Sequence, residues 1–353
     1  MTVAPTLVLD GVLTAEQLEA TGRFILAQQE EDGAIPWWRD GKLDPWDHVE
    51  AAMALAVLGH DEAALAAYAW SARTQAVDGS WPMEQCRGVV TEAASDTNQC
   101  AYIATGVWHH RLVTGSTEAV HRFWPTVERA IDFVVRQQRP GGEVAWAVDV
   151  ARRPDDFALR TGSSSVLHSM VCALEIADVV GVRRPDWEDA AERLRTALVR
   201  RPEAFADRSR YSMDWYYPVL GGALRGEAAR AELAARWDDF VWPGQGVRCV
   251  DDNPWVTAAE SSELVMALDA VGESVSAATL LAEIQHMRDD STGGYWTGYV
   301  VADDATWPEE QTSWTAAAVV LAVDAVTRTT GGSGIFRDHV LTEEECEADD
   351  AAS

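Results

Sequence analysis

Residues 75–82 read Gln75-Ala76-Val77-Asp78-Gly79-Ser80-Trp81-Pro82, and after a short loop residues 95–99 read Ser95-Asp96-Thr97-Asn98-Gln99. The stretch is a helix end, a glycine turn, a tryptophan, and then the start of a second helix carrying polar groups. Its recurrence in varied form along the chain decides the fold.

Upstream, residues 14–31 space Leu18, Phe24, Ile25 and Ala27 as an amphipathic helix, with Thr14 and Gln17 placed to form a capping box. Asp32-Gly33 ends it, Trp37 and Trp38 follow, and residues 46–58 form a more uniformly apolar helix. The alternation repeats: amphipathic at 61–77, 117–138, 186–200, 226–238 and 276–288, apolar and rich in alanine at 97–113, 163–180, 213–224, 256–271 and 311–326. A helix that is apolar all round is buried, whereas one with a charged face lies outside. Six outer and six inner helices in alternation predict an all-α fold, an (α/α)6 toroid, as one domain over residues 14–328. An N-terminal strip (1–13) precedes it and a tail (329–353) follows, whose acidic end from 341 onward predicts disorder. Only 142–147 and 295–301 read as short extended pieces. Pro218 predicts a break or kink in the fourth inner helix.

The chain has 353 residues, 57 Asp and Glu against 28 Lys and Arg, and a net charge of −29. Such a field repels nucleic acid and anionic membrane, so the expected partner is a small molecule rather than either of these. The oligomeric state stays open. No segment reads as an integral membrane span, the N-terminus lacks the pattern of a signal peptide, and five scattered cysteines suit a reducing compartment. The expected location is cytoplasmic.

Sixteen tryptophans are the compositional outlier. In a toroid the inner helices run parallel, so their N-termini gather at one mouth. Trp37, Trp38, Trp46, Trp81, Trp146, Trp215, Trp255, Trp296, Trp307 and Trp314 all fall in the turns before inner helices or in their first turns. That concentration exceeds what core packing needs and predicts an aromatic-lined cavity.

The spacing Gln75-x3-Gly79-x-Trp81 resembles the repeat signature of squalene–hopene cyclases and their relatives. Gln29-x3-Gly33-x3-Trp37 and Gln138-x3-Gly142-x3-Trp146 are stretched versions, and Gly294-Tyr295-Trp296 after Gln285 is a fourth. The wider superfamily of terpenoid cyclases and protein prenyltransferase β subunits shares the six-hairpin barrel. The resemblance implies an isoprenoid-like substrate and an acid motif before an inner helix, whose nearest counterpart here is Cys249-Val250-Asp251-Asp252. Prenyltransferases hold zinc through Asp, Cys and a helix-start His. Residues 310–314 (Glu310-Gln311-Thr312-Ser313-Trp314) offer no histidine, so neither a metal nor another cofactor is expected.

Candidate acids at the mouth are Asp47 and His48 in the first inner helix, Asp96 at the second, Asp214 at the fourth, Asp251, Asp252 and Glu260 at the fifth and Glu310 at the sixth. Candidate substrate-binding groups are Trp37, Trp38, Trp46, Trp81, Asn98, Gln99, Trp215, Tyr216, Tyr217, Trp255, Trp296, Trp307, Gln311 and Trp314. The alternative reading of Asp44 and Asp96 is a plain N-cap, and of Ser163-Ser164-Ser165 with His168 a capped helix start. Such a lining suits two chemistries. A carboxylic acid protonates an alkene while aromatic faces steady the cation, or paired carboxylates cleave or isomerise a sugar stacked on tryptophan. The leading expectation is a terpenoid cyclase- or prenyltransferase-like enzyme of secondary metabolism, an isomerase by reaction, with Asp251, Asp252 or Asp214 as proton donor. A carbohydrate-processing enzyme using Asp47, Asp96, Glu260 or Glu310 is the alternative, and a non-catalytic ligand- or partner-binding barrel the third.

Overall fold

The computed structural model describes residues 6–339 and 341. The chain runs α1 (Ala15–Gln28), α2 (Pro45–Val57), α3 (Asp61–Thr74), α4 (Thr97–Ala101), α5 (Ile103–Thr114), α6 (Glu118–Val135), α7 (Arg160–Val180), α8 (Pro185–Arg200), α9 (Ser212–Leu220), α10 (Gly226–Ala235), α11 (Trp237–Phe240), α12 (Ala258–Ala270), α13 (Ser274–Glu283), α14 (Ser313–Thr327) and α15 (Ile335–Asp338). Packing of α2 on α5, α5 on α7, α7 on α9, α9 on α12, α12 on α14 and α14 back on α2 closes an inner ring. Outer helices straddle it: α6 lies against α5 and α7, α13 against α12 and α14, and α1 against α14 and α2. The (α/α)6 toroid is therefore the observed fold.

The local chemistry follows the expected devices. Thr14 and Gln17 form the capping box of α1, and Asp44 caps α2 with Pro45 at its first position. The glutamine signature is a strap between successive outer helices. Gln29, Gln75 and Gln138 each donate one amide to the carbonyl of the glycine four residues on (Gly33, Gly79, Gly142) and to a carbonyl of the next outer helix (Ala63, Thr126, Ala190). Gly79 has φ 97°, and a Cβ there would stand 2.0 Å from the Arg129 carbonyl oxygen. Only glycine admits that approach. In the sixth hairpin the seam to α1 is made differently, by the Thr21 hydroxyl donating 2.8 Å to the Gly293 carbonyl.

A second seam closes the mouth. The first amides of inner helices donate to carbonyls of the next loop: Thr97 to Trp146 (2.9 Å), Ser212 to Cys249 (3.0 Å), Ala258 to Thr297 (3.2 Å) and Ser313 to Trp37 (2.7 Å). The last of these joins the end of the chain to its beginning.

Three features depart from expectation. The mouth loops carry small antiparallel sheets, including a five-stranded one over the starts of α12 and α14, in the order 305–306, 298–300, 255–257, 246–248, 241–242. Backbone pairing between distant loops leaves little periodic trace in strands of two or three residues. Pro218 lies inside α9, which ends two residues later and is the shortest unbroken inner helix. Beyond residue 328, α15 packs on α12, with Ile335 and Phe336 buried. His168 Nε2 donates 2.9 Å to the Ile335 carbonyl, and Arg337 pairs with Asp269 at 2.5 Å, so this segment closes the end opposite the mouth. The expectation of disorder from 341 onward falls mostly on residues 342–353, outside the described residues. The 21-residue α7 is long and apolar enough to cross a membrane by composition, yet it is packed as an inner helix.

Candidate functional site

Two inner helices carry acids on their lumen faces. On α2, Asp47 and Glu50 are three residues apart; on α12, Glu260 and Glu263 are spaced identically. This spacing stacks each pair on one helical face, one turn apart in depth. α2 and α12 both pack on α14, so the pairs flank it. Asp47 and Glu260 each keep 8% exposure at the floor of the mouth, whereas Glu50 (1%) and Glu263 (2%) are sealed below.

Among the described residues, no cation pairs with the deeper acids. Tyr216 and Tyr217 donate their hydroxyls to the two oxygens of Glu263. Glu50 and Glu263 line one interior space. Burial, followed by the Glu263 charge, holds the Glu50 carboxyl well above the usual carboxylate range, and burial likewise raises Glu263 against the lowering effect of its two tyrosines. Asp47 is raised well above its usual range by burial, then by Asp44 and Glu50. The thiol of Cys249, itself pushed up by burial, hydrogen-bonds Glu260.

Around this floor several buried polar atoms lack a protein partner: Trp46 Nε1, Glu50 Oε2, Trp314 Nε1, Asn98 Oδ1 and Gln99 Oε1. All except Glu50 belong to the first turns of α2, α4 and α14. Leaving such atoms against hydrocarbon costs roughly 1–3 kcal/mol each, whereas a polyhydroxylated ligand satisfies them. Aromatic rings continue the lining. Trp46 stacks on Tyr102 with centroids 4.5 Å apart, Trp37 meets Trp314 at 5.8 Å and Trp38 at 6.1 Å, and Trp255 meets Trp307 at 5.0 Å. Trp38 (38%) and Trp307 (57%) are exposed on the rim.

Other sequence candidates occupy structural posts. Asp96 caps α4 through Asn98 N and Gln99 N and accepts the Trp146 indole at 2.6 Å; burial still lifts its pKa to about 6. His48 points outward, its Nδ1 accepting from Ile35 N and its Nε2 donating to the Ala67 carbonyl, and burial lowers its pKa to about 4. Asp214 is buried at the mouth and accepts from the Thr161 hydroxyl. Trp81 donates to Ser71 O and Trp215 to Glu232 O, both facing outer helices. Gln311 is held by Asp289 and Thr292, Trp296 bridges Gln311 in the backbone, and half-buried Glu310 faces Thr297.

Asp251 and Asp252 lie apart from the floor. Asp251 pairs with Arg236 at 2.8 Å, and the Arg210 guanidinium beside Asp252 holds that carboxyl below its usual range. Both are paired with arginine in a loop, away from the acids of the inner helices. Glu50 and Glu263 escaped the sequence reading, although each is an acid inside an otherwise apolar helix one turn beyond another acid. That signal was present in WDHVEAAMALAVL and AAESSELVMALDA. Among the described residues, no group of three or more His, Cys, Asp or Glu side chains forms a metal site, and Cys86, Cys100, Cys172 and Cys249 are free.

No protein-family model matches the chain. It is 54% identical over 330 residues to the MMP endo-(1,4)-3-O-methyl-α-D-mannosidase of Mycolicibacterium hassiacum, covering 93% of this chain and 90% of the relative. Among solved structures it resembles a glycosidase in complex with glucose (TM-score 0.70, 14% identity, 89% of this chain and 97% of the other). It also resembles a D-mannose isomerase (TM-score 0.66, 12% identity, 89% and 97%). At those identities the structural matches speak for the fold alone. The mannosidase relative overturns the expected kinship with terpenoid cyclases and prenyltransferases, and with it the isoprenoid substrate and the secondary-metabolic isomerase. The physical reason is visible in the straps: the glutamine–glycine signature secures the outer ring of a toroid and has no contact with the lumen chemistry. The chain is an enzyme, and the carbohydrate-processing alternative is the reading that stands.

Proposed function

The chain belongs to the family of the MMP endo-(1,4)-3-O-methyl-α-D-mannosidase, and from that membership we propose that it hydrolyses internal α-(1,4) linkages in a glycan of 3-O-methyl-α-D-mannose. The observation that carries the assignment of residues is the matching position of Asp47 on α2 and Glu260 on α12, each one turn above a sealed glutamate. These acids of the two helices flanking α14 retain solvent access, while their companions one turn deeper do not. A glycosidase needs one carboxyl held protonated and a second acting as base or nucleophile.

Asp47 takes the acid role. Burial and two neighbouring acids, against the opposing charge of Lys42, favour its neutral form, and this makes it the carboxyl suited to give a proton to the glycosidic oxygen as the bond to the anomeric carbon breaks. Glu260, with the Cys249 thiol against it, takes the second role, either drawing a proton from the attacking water or bonding the anomeric carbon before water displaces it. Water supplies the hydroxyl of the new reducing end, and its remaining proton restores the acid. The anomer first released, read by proton NMR, separates the two roles of Glu260. In this reading the unpartnered amide oxygens of Asn98 and Gln99 and the indole of Trp314 take sugar hydroxyls, supported by their lack of a protein partner.

The test is digestion of α-(1,4)-linked 3-O-methylmannose oligosaccharides with mass analysis of the products. Internal fragments are expected from the wild type, with loss of cleavage in Glu260→Gln and Asp47→Asn. Undiminished cleavage by both variants would remove the residue assignment, and no cleavage by the wild type would remove the substrate.

A further inference from the structure

Asp44 caps α2, and its carboxyl gathers three donors. Oδ1 accepts from the amides of Trp46 (3.0 Å) and Asp47 (2.9 Å), and Oδ2 accepts the Trp37 indole at 2.9 Å. The start of α4 repeats the device: Asp96 accepts from the amides of Asn98 and Gln99 and from the Trp146 indole. The two caps differ at the third helical residue, where a side chain can fold back toward its cap. At α4 that residue is Gln99, an amide. At α2 it is Asp47, whose carboxyl lies in hydrogen-bond contact with the Asp44 carboxyl. Both acids are nearly closed off, at 9% and 8% exposure.

Two buried carboxyls in contact repel strongly when both are ionised, so such a pair holds one proton between them. The donors decide which member keeps it. Backbone amides and an indole only donate, so the three groups around Asp44 call for an oxygen that accepts, and the positive end of the α2 dipole lies against the same carboxyl. The proton therefore rests on Asp47 and points at Asp44. Other charges act around the pair: Glu50 one turn deeper, Lys42 just before the helix, Asp96 at α4, and Glu263 on α12, which acts through Glu50. The first turns of α5 and α14, which pack on α2, carry no charged residue, and Arg73 at the end of α3 is engaged by the Asp32 carbonyl. Lys42 opposes Asp44, but its ammonium stands over the Trp37 ring at 3.3 Å and reaches Glu84 at 4.0 Å.

We propose that Asp44 is the positioning residue of the acid: its carboxylate accepts the proton of Asp47 and so keeps Asp47 loaded and turned for donation to the glycosidic oxygen. Trp37 and the two backbone amides hold Asp44 in the accepting role. The inference rests on Asp47 as the acid in the reading above and goes beyond it by making the helix cap part of that acid. When Asp47 gives up its proton, two carboxylates face each other, and the proton left over from the attacking water returns to the pair and resets it.

Asp44→Asn keeps a good cap and removes the charge. The alkaline limb of kcat/KM is then expected to move down by about one to three pH units, the size of a neighbouring-charge effect, with KM and melting temperature retained. Trp37→Phe keeps a ring but takes a donor from Asp44, which leaves the pair holding its proton more tightly, so the limb is expected to move the other way, upward. Infrared titration of the protonated-carboxyl band, with Asp47→Asn marking the Asp47 component, reads the same two shifts without substrate. A cap with no further role moves neither. Either variant, folded but with its limb and its Asp47 band at the wild-type pH, would overturn the pair and leave glycan cleavage by Asp47 standing. A wild type that cleaves no 3-O-methylmannose glycan would remove the glycan reading, and the infrared shifts alone would then uphold the pair or, if absent, overturn it.

Discussion

Two groups of acids in this protein have opposite surroundings. Asp251 and Asp252 lie in a mouth loop where Arg236 and Arg210 meet them, and Asp252 is held ionised. Asp47, Glu50, Glu260 and Glu263 lie on two inner helices, and the partners found for them are other acids, tyrosines and a thiol, with Lys42 a minor opposing charge at Asp47. A carboxylate with an arginine is finished chemically: its charge is compensated and its proton is gone at neutral pH. Burial pushes Asp47, Glu50 and Glu263 toward their protonated forms, and that free energy is repaid only in the presence of a substrate or of a step that uses the proton. Local sequence makes the first group conspicuous, as two adjacent aspartates before a helix. The second group becomes visible only when α2 and α12 are placed either side of α14.

The comparison is open to experiment from both sides. The largest effect is expected at the floor: Asp47→Asn and Glu260→Gln should each lower kcat by about 10²–10⁴-fold, the usual contribution of a general acid or base, with the melting temperature retained. The pH dependence carries the same content. Because Asp47 acts protonated and its pKa is raised, the alkaline limb of kcat/KM should lie well above the ordinary carboxylate range, and activity should fall as pH rises through that value.

A smaller effect concerns stability at Asp96. Its folded pKa of about 6 exceeds the ordinary aspartate value of 3.8, so between those values the folded state binds more protons than the unfolded one and stability falls as pH rises. At about 1.4 kcal/mol per unit the loss is on the order of 3 kcal/mol, complete above pH 6. Asp96→Asn keeps a good N-cap. Denaturant midpoints should show the variant lacking this decline, while losing at every pH the Trp146 indole bond that its amide NH2 cannot accept. No effect is expected from Asp252→Asn, whose carboxylate is exposed and arginine-paired: rate and melting temperature should stay at wild-type values. A large rate loss there would invert the comparison.

How much of this was legible in the sequence divides along the same line. Every inner and outer helix was legible, because a ring of helices buried all round alternating with amphipathic ones leaves its record within each segment. The caps at Thr14 and Asp44 and the straps at Gln29, Gln75 and Gln138 were legible for the same reason: their partners lie within a few residues or in the next hairpin. The five-stranded sheet was not, since it joins loops some fifty residues apart through strands of two or three residues. Trp81 and Trp215 sit in the expected turns yet face outer helices, because a turn position does not say which way a ring points. Asp47 and Glu260 were among the candidates, but Glu50 and Glu263 were overlooked in favour of Asp251 and Asp252, whose arginine partners lie 15 and 42 residues away in the chain. The resemblance misled for a physical reason as well. It read the straps of the outer ring, and a strap is common to toroids whatever their lumen contains.

The most direct test of the account is the product analysis of an α-(1,4)-linked 3-O-methylmannose oligosaccharide digested in water enriched in oxygen-18. Asp47 and Glu260 acting as described predict shorter oligosaccharides from internal cleavage, each new reducing end carrying one heavy oxygen, with both products absent for Glu260→Gln. Intact substrate with the wild-type enzyme, or the same labelled fragments from Glu260→Gln at the wild-type rate, would contradict it.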